Sequence, residues 1–416
     1  MNLSCRSPLF KANLAHAFLF IFFPFSLAFM ACNSLQSIPL SPPKDDRFLI
    51  LVAGEGISQT TSTKLKYATN KAEAAAMVDG VKLAYECSQS VKSILNLVSI
   101  QYQDDFRDPT EAAALAARYA ANPATLAVIG HSSSGTTKLA AAHYLPASIP
   151  VLLPISTNPE VSGKTLFRLP LNDQVGQAPA LVHLIHSDLH ASQVYIVRDV
   201  SGDSAVYSDY LLQRFKFLLP ADHFKHNLDI DIDRPPLRII SEEVHRSQAN
   251  LVLFVGYGST AVQFLESMHE VYSATTDIPT IVLTDGCISP DLHVYNFPTY
   301  LTSPVPDLGL CKHLPPCFSA RRNPELPSYE EFGYDALEII SQAISKCKDM
   351  GSISRSCIAS SLTNDTFYGL CQQYSFRNGE NTTGTYTIYK ITDGSHGPLY
   401  NLYSTLTQQD LHDIRD

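Results

Sequence analysis

From Arg47 onward, short and wholly apolar runs alternate with longer amphipathic stretches, and no other feature restricts the fold as much. "RFLILVA" is too short for a helix, and its lack of polar alternation marks a strand buried on both faces. Residues 72–87 then place Ala75, Val78, Val81, Ala84 and Tyr85 on one helical face. A second strand, "ILNLVSIQY", leads into "DPTEAAALAARYA". There Asp108 suits the N-cap, Pro109 the first helical position, and Glu111 a capping box. "ATLAVIG", a helix from about Ser134, and "IPVLLPIS" carry the rhythm on. Such strands in alternation with helices predict an open, mostly parallel sheet covered on both faces.

The rhythm then restarts. "TLFRLP" precedes a helix near residues 177–186, then "SQVYIVRD", a helix near 205–218, "NLVLFVG", a helix near 260–272 and "IPTIVLTDG". A chain of 416 residues divides its core rather than growing one sheet this far. The expected class is therefore α/β, with two doubly wound three-layer α/β/α lobes joined by a multi-strand hinge. "SPVPDLGLCKHLPPC" reads as a crossing, "SYEEFGYDALEIISQAISKC" as a strongly amphipathic helix, and "GTYTIYKI" as an edge strand. The predicted N-terminal lobe comprises residues 46–170 plus 305–357. The C-terminal lobe comprises residues 171–304 plus 358–416.

The first residues differ from this body. Arg6 and Lys11 precede an apolar run, "AFLFIFFPFSLAFMA", which is short for a membrane span and broken by Pro24. This predicts a signal peptide over residues 1–31 and an exported, periplasmic or cell-surface protein. Cys32 follows directly, as the acylated cysteine of bacterial lipoproteins does; plain cleavage nearby is the alternative. Residues 32–45, polar and proline-rich, read as a tether. Seven cysteines follow Cys32, and export makes one or two disulfides the expectation. Their spacing does not resemble a zinc site, and no metal or cofactor is predicted. A net charge of −10 disfavours a nucleic-acid partner.

In such sheets ligands sit beyond the carboxyl ends of the strands. The richest loop there is "VIGHSSSGTTK", with Ser133, Ser134, Gly135 and Thr136 at a helix start. Hydroxyls beside unpaired first-turn N–H groups accept an anion. Two enzyme motifs nearly fit this loop. A nucleophile elbow fails because Ser134 stands in place of its second glycine, and a P-loop fails because Thr136 replaces its lysine. The next strand ends in "LLPISTNPE", where Ser156 and Thr157 form a neighbouring hydroxyl wall. Both loops also read simply as a helix cap and an ordinary turn.

The segment "VIGHSSSGTTKLAAAHYLPASIPVLLPISTNPEVSGKTLFRLP" closely resembles the type I periplasmic binding proteins of the leucine/isoleucine/valine group, which serve ABC importers. "EFGYDALEIISQAI" resembles the late first-lobe helix of that family through Tyr334, Asp335 and Ala336. The resemblance implies that the two hydroxyl loops hold the α-groups of an amino acid. It further implies that Tyr257, in "FVGYGS", and Asp285, in "VLTDGC", meet the ammonium from the opposite lobe. A hydroxyl common in the family falls at Gly135, and a frequent family tyrosine is replaced by Asp203, in "SGDSAVYS". Asp203 beside Asp285 would give a doubly negative pocket suited to a more cationic or polyhydroxylated ligand.

The implied function is a monomeric, non-enzymatic binding protein that captures an amino acid or similar small ligand by hinge closure for an ABC-type permease. A ligand-sensing receptor without transport is the alternative. A hydrolase using Ser132 and His131 is the third reading, disfavoured because adjacent residues seldom form a nucleophile–base pair.

Overall fold

The computed structural model describes residues 47–56, 71–200, 204–219, 224–230, 237–311, 314–321, 327–395 and 397–414. The predicted signal peptide, the tether with Cys32, and Asp203 lie outside the described residues. The chain opens with β1 (Phe48–Gly54), α1 (Lys71–Cys87), α2 (Gln89–Ile94), β2 (Val98–Asp104), α3 (Pro109–Ala120), β3 (Thr125–Ile129), α4 (Ser134–Tyr144), β4 (Val151–Leu153) and β5 (Leu166–Arg168). Next come α5 (Gln177–Val182), β6 (Val194–Asp199), α6 (Ser204–Leu218), β7 (Phe224–Ile230), α7 (Leu237–Ser247), β8 (Leu251–Val255), α8 (Gly258–Tyr272), β9 (Thr280–Leu283) and β10 (Thr299–Ser303). They are followed by α9 (Pro316–Ser319), α10 (Glu330–Asp349), α11 (Arg355–Asn364), β11 (Thr366–Tyr368), β12 (Gln373–Arg377) and β13 (Glu380–Asn381). The last elements are β14 (Tyr386–Gly394), β15 (Gly397–Leu406) and α12 (Gln408–Asp413).

Two sheets result. One has eight strands in the order β11-β12-β13-β5-β4-β3-β1-β2, the other seven in the order β15-β14-β10-β9-β8-β6-β7. The early pairings in each are parallel, and the inner strands are largely apolar, whereas the edge strand β2 is only partly buried. Alternate residues of one strand serve opposite layers. Leu49, Leu51 and Ala53 join the core under α3 and α4, while Ile50 and Val52 join the one under α1 and α10. In the second sheet Val194 and Ile196 pack with α5 and α6, and Tyr195 and Val197 pack with α7 and α8. Each sheet is thus the middle of three layers.

The chain changes sheet three times: after β5, after β10, and between β13 and β14. The third change lies well beyond the crossing expected near Ile358, because α11 and β11 to β13 stay with the first lobe. Asn381 accounts for part of this, donating through Nδ2 to the Leu169 carbonyl at 2.7 Å. Other local expectations also need correction. "GTYTIYKI" is not an edge: β14 is paired on both sides, and β15 is the edge strand. Tyr85 is exposed, since the inward face of α1 runs through Met77, Val78, Val81 and Ala84. Among the described residues three disulfides form instead of one or two: Cys87–Cys317, Cys311–Cys371 and Cys347–Cys357, while Cys287 is a buried thiol outside these pairs. Among the described residues no helix is long and apolar enough to cross a membrane.

Candidate functional site

The β3–α4 turn begins with a backbone demand. Gly130 has φ +125°, and a Cβ there would sit 2.0 Å from the Ala53 carbonyl oxygen, so only glycine fits. His131 then turns inward. Its Nδ1 lies 2.6 Å from Oδ2 of Asp105 and its Nε2 3.3 Å from the Tyr144 hydroxyl, all buried. Neither ring nitrogen faces a serine, so no nucleophile–base pair with Ser132 exists. The Ser132 hydroxyl instead accepts the Glu55 N–H at 3.3 Å and ties the first strand's loop to this one.

Ser133 is the N-cap of α4. Its Oγ accepts the Thr136 N–H at 3.1 Å and lies 2.7 Å from the Thr136 hydroxyl, which also donates to the Ser133 carbonyl. These two hydroxyls therefore serve the helix start. Ser134 faces Ser156 at 3.2 Å, which links the two hydroxyl turns. Arg168 holds the second turn from behind, donating to the carbonyls of Ser156, Asn158 and Val161 and to Glu380. Asn158 reaches across to the other lobe, donating through Nδ2 to the Val206 carbonyl at 2.8 Å.

Opposite stands Asp285, 2% exposed, just beyond the carboxyl end of β9. Its Oδ1 accepts from Gln177 Nε2 (2.7 Å), the Tyr207 hydroxyl (2.7 Å) and the Gly286 N–H (2.9 Å). Its Oδ2 accepts from the Tyr329 hydroxyl at 3.1 Å. Burial raises the Asp285 pKa, and these donors partly offset the rise. Asp173 is wholly buried on the first crossing, and its pKa lies well above the carboxylate range, through burial first and the charge of Asp285 second. Asp173 is thus an acid near Asp285 among the described residues. Tyr207 and Tyr386 are pushed up by burial and by Asp285, so both hydroxyls stay neutral.

The two sides meet in one cavity of about 20 Å³. Ser132, Ser133, Ser134, Ile155 and Thr157 line it from the first lobe, and Tyr207, Tyr257, Asp285 and Gly286 from the second, with Tyr329 between them. Of the residues expected at the ligand, Ser133, Ser134, Thr157, Tyr257 and Asp285 come together here. Gly135, Thr136 and Ser156 are buried behind the lining, their positions taken up by helix start and turn. Tyr257 also has partners within the chain. Its ring lies 3.8 Å from the guanidinium of Arg107, a buried residue of the β2–α3 loop, and stacks with Tyr207 at 5.7 Å between centroids. A cation of the chain itself thus packs against the ring that the resemblance offers to a ligand ammonium.

Arg107 sits in "DDFRDP", a strand-end loop, so the rule that singled out the other turns applies equally to it. Gln177, Tyr207, Tyr329 and Asp173 have no comparable local signal. They lie in helix starts or crossings whose place beside Asp285 is a matter of chain path.

No protein-family model matches this chain, and no curated protein matches its sequence. Solved structures do. A leucine-binding protein, LivK, from Thermotoga maritima has a TM-score of 0.70 at 18% identity, covering 87% of this chain and 99% of the other. The substrate-binding protein LivJ from Streptococcus pneumoniae, in complex with isoleucine, has a TM-score of 0.69 at 16% identity, with the same coverage of both chains. A solute-binding protein of an ABC transporter from Rhodopseudomonas palustris, in complex with 3,4-dihydroxybenzoic acid, has a TM-score of 0.72 at 10% identity over 88% of this chain and 98% of the other. Strand order, three crossings and these likenesses agree: the chain has the two-lobed type I periplasmic binding protein fold.

Proposed function

We propose that the chain is an extracytoplasmic solute-binding protein that closes its lobes on an amino acid or similarly small polar ligand and presents it to an ABC-type permease. One observation carries this reading. Hydroxyl turns of one lobe and the Asp285 turn of the other, from distant parts of the sequence, line the same cavity beyond the strand ends. A cavity of about 20 Å³ holds roughly one water, so a ligand enters when the lobes part about the three crossings. The carboxylate of an amino acid would then meet the α4 start near Ser134 and Thr157, and its ammonium would meet Asp285. Three disulfides support an oxidising compartment, in keeping with export and a lipid anchor at Cys32.

A thermal-shift screen of amino acids and small acids tests the proposal, because a ligand bound only by the native state raises the melting temperature. Asp285→Ala should abolish the shift given by any amino acid. If no such ligand shifts the wild type, or the variant keeps its affinity, the reading fails. A second reading rests on Arg107: a guanidinium at the tyrosine wall suits a small aromatic acid without an amine. A shift with 4-hydroxybenzoate, absent with isoleucine and retained in Asp285→Ala, would favour it.

A further inference from the structure

A second cavity, of about 530 Å³, shares no residue with the interlobe one. It opens where the α1–α2 turn, α10 and the end of β11 meet, in the size range of small-molecule sites. Glu338 of α10 lines it, half-buried. Its Oε2 accepts from the Ser88 hydroxyl and its Oε1 from Gln342 Nε2 at 3.0 Å, and both of these donors are neutral. No lysine, arginine or histidine lines the cavity among the described residues. Two aromatic residues line the same cavity as the carboxylate. Tyr334 is buried in the wall, while Tyr368 is 62% exposed, an aromatic left in water at the cavity.

The walls are preset. Cys87, a lining residue, is bonded to Cys317 beside the Pro315 wall, and Cys371, next to Leu370 in the opposite wall, is bonded to Cys311. Such pre-organisation lowers the ordering cost of binding. One carboxylate with no further anionic oxygen is a poor set for calcium, which takes six to eight oxygens. A carboxylate that shares its cavity with aromatic side chains is instead the chemistry that receives an organic cation. We propose that this cavity is a second ligand site, taking a small organic ammonium group between Tyr334 and Tyr368 with its charge toward Glu338.

Choline and its neutral isostere 3,3-dimethylbutan-1-ol, titrated into the purified full chain by calorimetry, provide the test. Choline should saturate one site with a Kd on the order of 1 mM, and the alcohol should bind about tenfold more weakly. Glu338→Gln, which keeps an oxygen for Ser88 or Gln342, should weaken choline about tenfold. Tyr368→Leu, at an exposed position that leaves folding intact, should weaken it several-fold, and Asp285→Ala should leave it unchanged. Equal binding of the alcohol, full choline affinity in Glu338→Gln and Tyr368→Leu, or no choline binding at all overturns the proposal. Loss of choline in Asp285→Ala alone would place it in the interlobe cleft and overturn it too.

Discussion

Asp105 and Asp285 each lie just beyond the carboxyl end of a parallel strand, one in each lobe, and both are buried. They differ in what meets the charge. Asp105 is answered within the chain: Oδ2 pairs with the His131 ring at 2.6 Å and Oδ1 accepts the Arg107 N–H at 2.9 Å. Asp285 instead accepts from an amide, two phenols and a backbone N–H, none of them a cation. A buried carboxylate with a basic partner is complete and holds a loop in place. One supported by neutral donors keeps its charge available to a cationic group that arrives from outside. Position at a strand end singles out both residues; only the partners separate a structural acid from a candidate binding acid.

Asp335 supplies a reference case, a buried acid with neutral donors that lines neither cavity. It accepts the Leu370 N–H and the Tyr374 hydroxyl, each at 2.7 Å, and burial pushes its pKa up to about 7. Between the unfolded value of 3.8 and about 7 the native state keeps a proton that the unfolded chain has lost. Its stabilising effect is complete at low pH and is lost as pH rises through that window, by about 1.4 kcal/mol per unit and on the order of 4 kcal/mol in all. Urea unfolding against pH should show this slope, and Asp335→Asn should flatten it. An unchanged slope would mean that neutral donors suffice to keep such an acid ionised.

Asp105→Ala comes next, at about 3 kcal/mol of lost stability, because it strands the buried His131 ring. Urea titration at neutral pH measures it, and a loss below about 1 kcal/mol would erase the contrast with Asp285. Asp285→Asn should act the other way. Since the native pKa of Asp285 is raised, the carboxylate loses stability as pH rises, and the amide removes that loss. The variant should match or exceed the wild type in melting temperature at pH 8. Its affinity for any amino-acid ligand should fall by about 2 kcal/mol or more, read by calorimetry. A destabilised Asp285→Asn with full affinity would make Asp285 a second Asp105. The smallest effect belongs to Ser133→Ala, about 1 kcal/mol of stability for the lost α4 cap. Its ligand affinity should stay within about twofold, since that hydroxyl already serves Thr136.

Much of this was legible locally. The length of each apolar run, its lack of alternation and the caps at Asp108 and Ser133 depend on a few neighbouring residues. They predict layers, helix starts and the strand-end turns that carry Ser134, Thr157 and Asp285. Period and capping say which face of an element is buried, but not what it is buried against. The partners of Asp285 come from 108, 78 and 44 residues away, so the chain path, not a motif, brought Gln177, Tyr207 and Tyr329 to it. The same holds for Arg107 over Tyr257, for the return of β13 beside β5 through Arg168 and Glu380, and for the pairing of six cysteines. Local propensity acts along the chain, whereas charge balance and disulfide choice are set by distances that exist only after the layers have packed.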